Sequence, residues 1–170
     1  MLYPIGIQSF EKIRTGGFVY VDKTALIYRL AASGQYYFLS RPRRFGKSLL
    51  VSTMEAYFSG RKDLFEGLAM ELLEKDWTEY PVLHLDLTGS SYTDISHLKV
   101  SLDQHLRKWE SLYDVAPMSE DLSSRFKDII DAAYLKTGQK VVILIDEYEK
   151  PIIDNIDNPE LMEQFRRELQ

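Results

Sequence analysis

Strands alternating with helices along a chain of 170 residues predict an α/β domain built on a mainly parallel sheet. Three stretches carry that expectation. Residues 141–145, Val-Val-Ile-Leu-Ile, form an almost wholly β-branched run, as a parallel strand covered on both faces requires. Residues 94–113 place Ile95, Leu98, Leu102, Leu106, Trp109 and Leu112 at helical spacing. Residues 36–40 are an aromatic apolar run that feeds an Arg/Pro/Gly loop, and a helical pattern follows at once.

In chain order, residues 18–21 read as a short strand, and Asp22 is placed to cap a helix over residues 23–33 that stops at Gly34. Residues 36–40 read as a buried strand. Residues 47–59 read as a helix with Leu50, Met54 and Tyr57 or Phe58 inward, closed by Gly60. A further helix is expected over 62–75, with Leu64, Phe65, Leu68 and Leu72 inward, and a strand over 82–87 announced by Pro81. After the 94–113 helix, Ser119 is expected to cap another, with Glu120 and Asp121 in its first turn and Gly138 at its end. The strand at 141–145 follows, and Asn158-Pro159 opens a last helix.

The bulk numbers narrow the function classes. A formal net charge of −5 argues against a protein that coats nucleic acid, and the absence of cysteine removes disulfides and thiolate metal sites. His84, His97 and His105 lack metal-ligand spacing, and no G-x-G-x-x-G follows a strand. No apolar run reaches the roughly 18 residues of a membrane helix, and Met1-Leu2-Tyr3-Pro4 does not open a signal peptide, so a cytoplasmic location is expected.

Two motifs fall at the carboxyl ends of expected strands, where such sheets bind ligands. Gly46-Lys47-Ser48 matches the second half of a phosphate loop, G-x-x-x-x-G-K-[ST], with Arg41 where the first glycine would stand. Gly46 lets backbone approach an anion, and the amides of Gly46 to Leu49 open a helix N-terminus that attracts it. Lys47 can reach β- and γ-phosphate oxygens, Ser48 offers a hydroxyl to Mg²⁺, and Arg43, Arg44 and Phe45 complete the loop. Taken alone, this tripeptide is equally a solvated basic turn.

The second motif decides between the two. Residues 141–145 deliver Asp146-Glu147, the Walker B arrangement: Asp146 would hold Mg²⁺ and Glu147 would polarise an attacking water. Carboxylates avoid a buried strand end unless something pairs with them. The pattern points to ATP and Mg²⁺ as cofactors, with Lys47 and Glu147 as the catalytic pair.

With these residues read, the chain resembles the bacterial AAA-ATPase-like family. The resemblance rests on Tyr3-Pro4-Ile5-Gly6-Ile7, Tyr20-Val21-Asp22-Lys23-Thr24, Arg41-Pro42-Arg43-Arg44-Phe45-Gly46-Lys47-Ser48-Leu49 and Leu144-Ile145-Asp146-Glu147-Tyr148. It makes Arg41 part of the family's own pattern. It implies a three-layer P-loop NTPase over residues 1–170, with residues 1–35 packing near the adenine and Asp22 beside it. Helix capping explains Asp22 equally well.

In that class a strand lies between the P-loop and Walker B strands and comes later in the chain. The chain is therefore expected to be the N-terminal portion of a longer protein. The later strands, a sensor, an arginine finger and a PD-(D/E)XK nuclease-like effector domain would lie outside it. No lysine here has an acid two residues before it, so nuclease chemistry is not expected in this chain. Nucleic acid would be met only through the missing part, and self-assembly into a homo-oligomer stays open. The expected activity is Mg-ATP binding and hydrolysis coupled to an effector or assembly. The alternatives are a nucleotide-binding switch with little turnover and a vestigial domain, against which the intact motifs weigh.

Overall fold

The computed structural model describes residues 2–40, 42, 45–89 and 91–169. The chain divides into two compact units, Met1–Val82 and Leu83–Gln170. The architecture is mixed α/β.

The first unit is helical. Helix α1 (Phe10–Thr15) is capped by Ser9, whose hydroxyl accepts from the Lys12 amide. Its first amide, Phe10 N–H, donates to Ser52 Oγ of α3 (Lys47–Phe58) at 2.9 Å. Phe10, Ile27 of α2 (Thr24–Ser33), Ala56, Leu64, Phe65, Leu68 and Met70 form the core, and Leu50, Met54 and Tyr57 pack on it as their spacing in α3 predicts. Phe10 meets Phe65 at 4.9 Å between ring centroids and Tyr20 at 5.1 Å.

Three expectations fail in this unit. Residues 18–21 are not a strand; Phe18 makes only an isolated parallel bridge to Leu2. Residues 36–40 are extended but belong to no strand, and they are exposed: Tyr36 is 93% and Phe38 71% accessible. Their apolar character is not matched by a covering layer, and the Tyr37 hydroxyl turns back to donate to the Leu30 carbonyl at 2.6 Å.

The third is the helix expected over 62–75, which is broken into a 3-10 turn (Lys62–Phe65) and α4 (Ala69–Leu73), with Gly67 at φ +74° between them. The cause is long-range. A continuous helix would send the Ala69 and Met70 amides four residues back. Here they donate instead to Asp22 Oδ2 at 2.7 Å and Thr24 Oγ1 at 3.0 Å. Arg14 takes up the stranded carbonyls of Leu64 and Glu66. Leu72 accordingly faces outward.

The second unit, from Leu83 on, holds all but the first residue of the sheet, a parallel pair of β1 (Val82–Asp86) and β2 (Val142–Asp146). Side chains alternate along β2: Leu144 and Asp146 are buried, whereas Ile143 and Ile145 are 42% and 50% accessible. The expected cover on both faces is thus present on one only. Helix α5 (Ile95–Tyr113), capped by Asp94, packs on α6 (Leu122–Thr137). Leu83, Leu106, Trp109 and Ile129 make one core cluster, and Leu87, Tyr92, Leu98 and Phe165 another. Leu112, read as part of the α5 stripe, is exposed.

Helix α6 begins later than expected. Asp121 is its cap, accepting from Ser124 N–H at 2.8 Å, while Ser119 supports Asp121 from outside the helix. After β2 come a short helix α7 (Lys150–Ile153) and then α8 (Pro159–Glu168), which Asn158 caps as expected.

The α5–α6 contact carries a buried ion pair. Arg125 donates two parallel bonds to Glu110, at 2.7 and 2.9 Å, and a third to Asp103 at 2.6 Å. The Arg125 and Glu110 side chains are 8% and 7% accessible. Such a pair fixes register more than it adds net stability, because desolvation offsets most of the attraction. Arg125→Met should lower the unfolding free energy by about 3 kcal/mol, since Glu110 is left buried and unpaired. Arg125→Met with Glu110→Leu should recover most of it. Urea midpoints decide the matter; a double variant no better than the single would count against this account.

Candidate functional site

The phosphate-loop half lies in the first unit. Gly46 is the residue before α3, and it holds φ +76°, ψ +23°, the left-handed region that only glycine enters without strain. An added Cβ would meet nothing within 4 Å, so the requirement for glycine is conformational and not steric. Lys47, Ser48 and Leu49 form the first turn. Gly46 offers no capping side chain and no acid stands in the first turn, so the helix start carries the positive end of the dipole that attracts anions. The helix is anchored from behind: Leu49 packs on the core, the Leu49 carbonyl accepts from buried Thr53 at 2.7 Å, and Ser52 holds α1. Phe45 is exposed. Arg41, Arg43 and Arg44 lie outside the described residues.

Asp22 is also in the first unit, and its carboxylate is occupied locally. Oδ1 accepts from the Thr24 amide at 2.8 Å and from the Thr24 hydroxyl at 2.7 Å, while Oδ2 accepts from Ala69 N–H. It therefore organises the starts of both α2 and α4 from one residue outside the expected cap position, since the N-cap of α2 is Lys23. Burial pushes its pKa up, but the Ala69 amide and the Thr24 hydroxyl and amide outweigh that and hold the carboxyl below its usual range.

The acidic pair lies in the second unit. Asp146 ends β2, and its carbonyl accepts from Leu87 N–H at 3.2 Å, continuing the β1 pairing past the strand. The residue is 5% accessible, and among the described residues its carboxylate has no hydrogen-bond or ion-pair partner. Its carboxylate is therefore left open to a cation or a donor from outside the described contacts. Glu147 follows at φ +56°, a left-handed conformation unusual for a residue with a Cβ. The chain then turns into α7, with Lys150 N–H donating to the Glu147 carbonyl at 2.9 Å.

The residues fit a magnesium ion of the kind that nucleotide sites use. Such ions take one or two carboxylates and complete their shell with water and phosphate oxygens. A cage of three or more protein ligands is not needed, and among the described residues there is none. A cavity of about 1030 Å³ in the second unit, between α5 and the start of α6, contains none of the expected site residues. The Arg125 guanidinium on its wall is already engaged by Glu110 and Asp103.

With this geometry established, comparison with known proteins places the chain. A family model described as "Predicted AAA-ATPase" matches residues 4–170. The chain belongs to the AAA-ATPase-like family. Membership implies nucleotide binding, typically with Mg²⁺. A curated relative of this AAA-ATPase-like chain is an uncharacterised protein encoded in the vnfD 5′ region of Azotobacter chroococcum. It is 41% identical over 165 residues, covering 96% of this chain and 32% of the relative, so the chain spans about a third of that protein's length. No solved structure matches. No helix among the described residues is long and apolar enough to cross a membrane.

What the sequence reading missed lies just past the acidic pair: Lys150, Asp154 and Asn155, with Tyr92 from the other side of the unit. The Lys150/Asp154 spacing of four on a helical turn was a legible signal.

The Asp22 bonds have a pH consequence. A carboxyl whose folded pKa is depressed contributes stability that is present above its unfolded value, near about 4, and is lost as pH falls through the lower folded value. Asp22→Asn should cost about 1 kcal/mol at neutral pH, as loss of a cap does. It should also flatten the decline of melting temperature below about pH 4. Some decline remains, because Glu74 and Asp103 are lowered too. Parallel wild-type and variant profiles would contradict the assignment.

Proposed function

We propose that this chain binds Mg-ATP and hydrolyses it, and that it serves as the nucleotide-driven part of a longer protein. The observation that carries the reading is Asp146: a buried residue whose carboxylate has no partner among the described residues, at a strand end, followed by an acid held in a strained backbone. Family membership and the Gly46-Lys47-Ser48 helix start support it.

Each residue has a role in this proposal. The first-turn amides of α3, with Gly46 leaving the backbone close, hold β-phosphate oxygens. Lys47 neutralises charge on the β- and γ-phosphates. The Ser48 hydroxyl and the Asp146 carboxylate hold Mg²⁺. The ion, when bound, draws charge from the phosphate oxygens and fixes their geometry. Glu147 orients a water and takes its proton as the water oxygen bonds to the γ-phosphorus and the bond to the β,γ-bridging oxygen breaks, releasing ADP and inorganic phosphate. Arg43, Arg44, Phe45 and Leu49 line the phosphates, and Asp22 with residues 1–35 belongs near the adenine.

The finer fold belongs to the same proposal: residues 1–170 as one three-layer P-loop NTPase domain with a mainly parallel sheet, of which β1 and β2 form part. Coupling to an attached effector, assembly into a homo-oligomer and supply of an arginine by a neighbour are proposals about the whole protein.

Calorimetric titration with ATP and a phosphate-release assay test the reading. Lys47→Ala should weaken ATP binding at least tenfold, by analogy with loss of a charge-assisted contact of about 1.5–3 kcal/mol. Glu147→Gln should bind as tightly as wild type while turnover falls about 100-fold or more. Wild-type affinity in Lys47→Ala would refute the site. Tight binding with no measurable turnover in the full-length protein would favour the nucleotide switch.

A further inference from the structure

The backbone of Glu147 is held by a closed circuit of contacts centred on Tyr92. From Asp146, the carbonyl accepts from Leu87 N–H at 3.2 Å. The Leu87 carbonyl accepts from the buried Tyr92 hydroxyl, also at 3.2 Å. The Tyr92 carbonyl accepts from Asn155 Nδ2, which donates to the Pro151 carbonyl as well. The Tyr92 ring receives the Lys150 ammonium 5.7 Å from its centroid, and that ammonium is paired with Asp154. Lys150 N–H donates to the Glu147 carbonyl at 2.9 Å, and the circuit is closed. Every member belongs to the second unit.

A non-glycine residue at φ +56° persists only where its surroundings over-determine it. Glycine at position 147 would hold the same turn without strain but would carry no carboxylate. The chain keeps the acid and supplies the restraint from outside. The Lys150 and Asp154 side chains are 22% and 23% accessible, so their attraction is screened less than that of a surface pair. The cation also lies against an aromatic face.

We propose that Lys150, acting with Tyr92, Asp154 and Asn155, is a positioning residue that locks the left-handed turn at Glu147 and so fixes the direction of its carboxylate. The inference rests on the reading of Glu147 as the base that orients water. It assigns Lys150 no contact with the nucleotide.

The test uses the full chain with Lys150→Met, which keeps the packing of the stem, and Lys150→Arg, which restores the charge. Asp154→Asn breaks the same pair from the other side and guards against a folding defect in the first variant. Two readouts are taken: hydrogen exchange of the backbone amide at position 150, and kcat together with ATP affinity. Lys150→Met and Asp154→Asn should speed that exchange about tenfold through local opening. They should lower kcat about tenfold with ATP affinity unchanged, as a displaced catalytic group does. Lys150→Arg should return both toward wild type.

Exchange at position 150 that stays at the wild-type rate in both variants overturns the proposal whatever the turnover. Faster exchange with unchanged kcat overturns the positioning role, provided that Glu147→Gln abolishes turnover. If Glu147→Gln leaves turnover intact, the reading of the site fails instead. The exchange rates then decide by themselves whether the circuit holds the turn.

Discussion

Asp146, an acidic residue held in the interior at the end of a strand, its carboxylate without a partner among the described residues, is the feature on which the proposed site depends. Its position is set by the β1–β2 pairing, which continues one residue beyond β1 through the Leu87 amide. That pairing is in turn backed by the clusters around Leu83 and Leu87, and by α5 and α6. The Arg125–Glu110–Asp103 triad also carries charge into the interior, but with every partner present. The contrast is informative. Where charge serves register, the chain supplies the counter-charge itself; at Asp146 it supplies none among the described residues. The proposed cation site would require that asymmetry.

The first unit solves a different problem, which is to present an uncapped helix start on a firm base. Thr53 and Ser52 spend their hydroxyls inside and behind α3, on the Leu49 carbonyl and the α1 amide. Asp22, Thr24 and Arg14 together fix the break between the 3-10 turn and α4. The apolar positions of α3 then face a core dense in aromatic rings.

Local patterns foretold what local forces determine. Helices α3, α5 and α8, strand β1, strand β2 to within one residue and the helix-ending Gly138 are where periodicity and capping chemistry placed them. The break within 62–75 was not legible, because it depends on Asp22, 47 residues upstream of the amide it accepts from. The exposed face of β2 was not legible either. A continuous apolar run states that a strand tolerates cover on both sides, not that cover is present. Residues 36–40 failed for the same reason. Of the site, the residue types and their order could be read directly. The left-handed backbone at Glu147 could not, and neither could the Tyr92–Asn155 bond, which joins residues 63 apart in sequence.

The most direct test of the central claim is the magnesium dependence of ATP binding. Calorimetry on the wild-type chain with and without Mg²⁺ gives the gain in affinity that the ion confers, and Asp146→Asn is measured in the same way. The account predicts that the variant keeps its metal-free affinity for ATP and loses most of the gain. An equal gain in the variant and the wild type would contradict it, because Asp146 would then be buried for some purpose other than holding the ion.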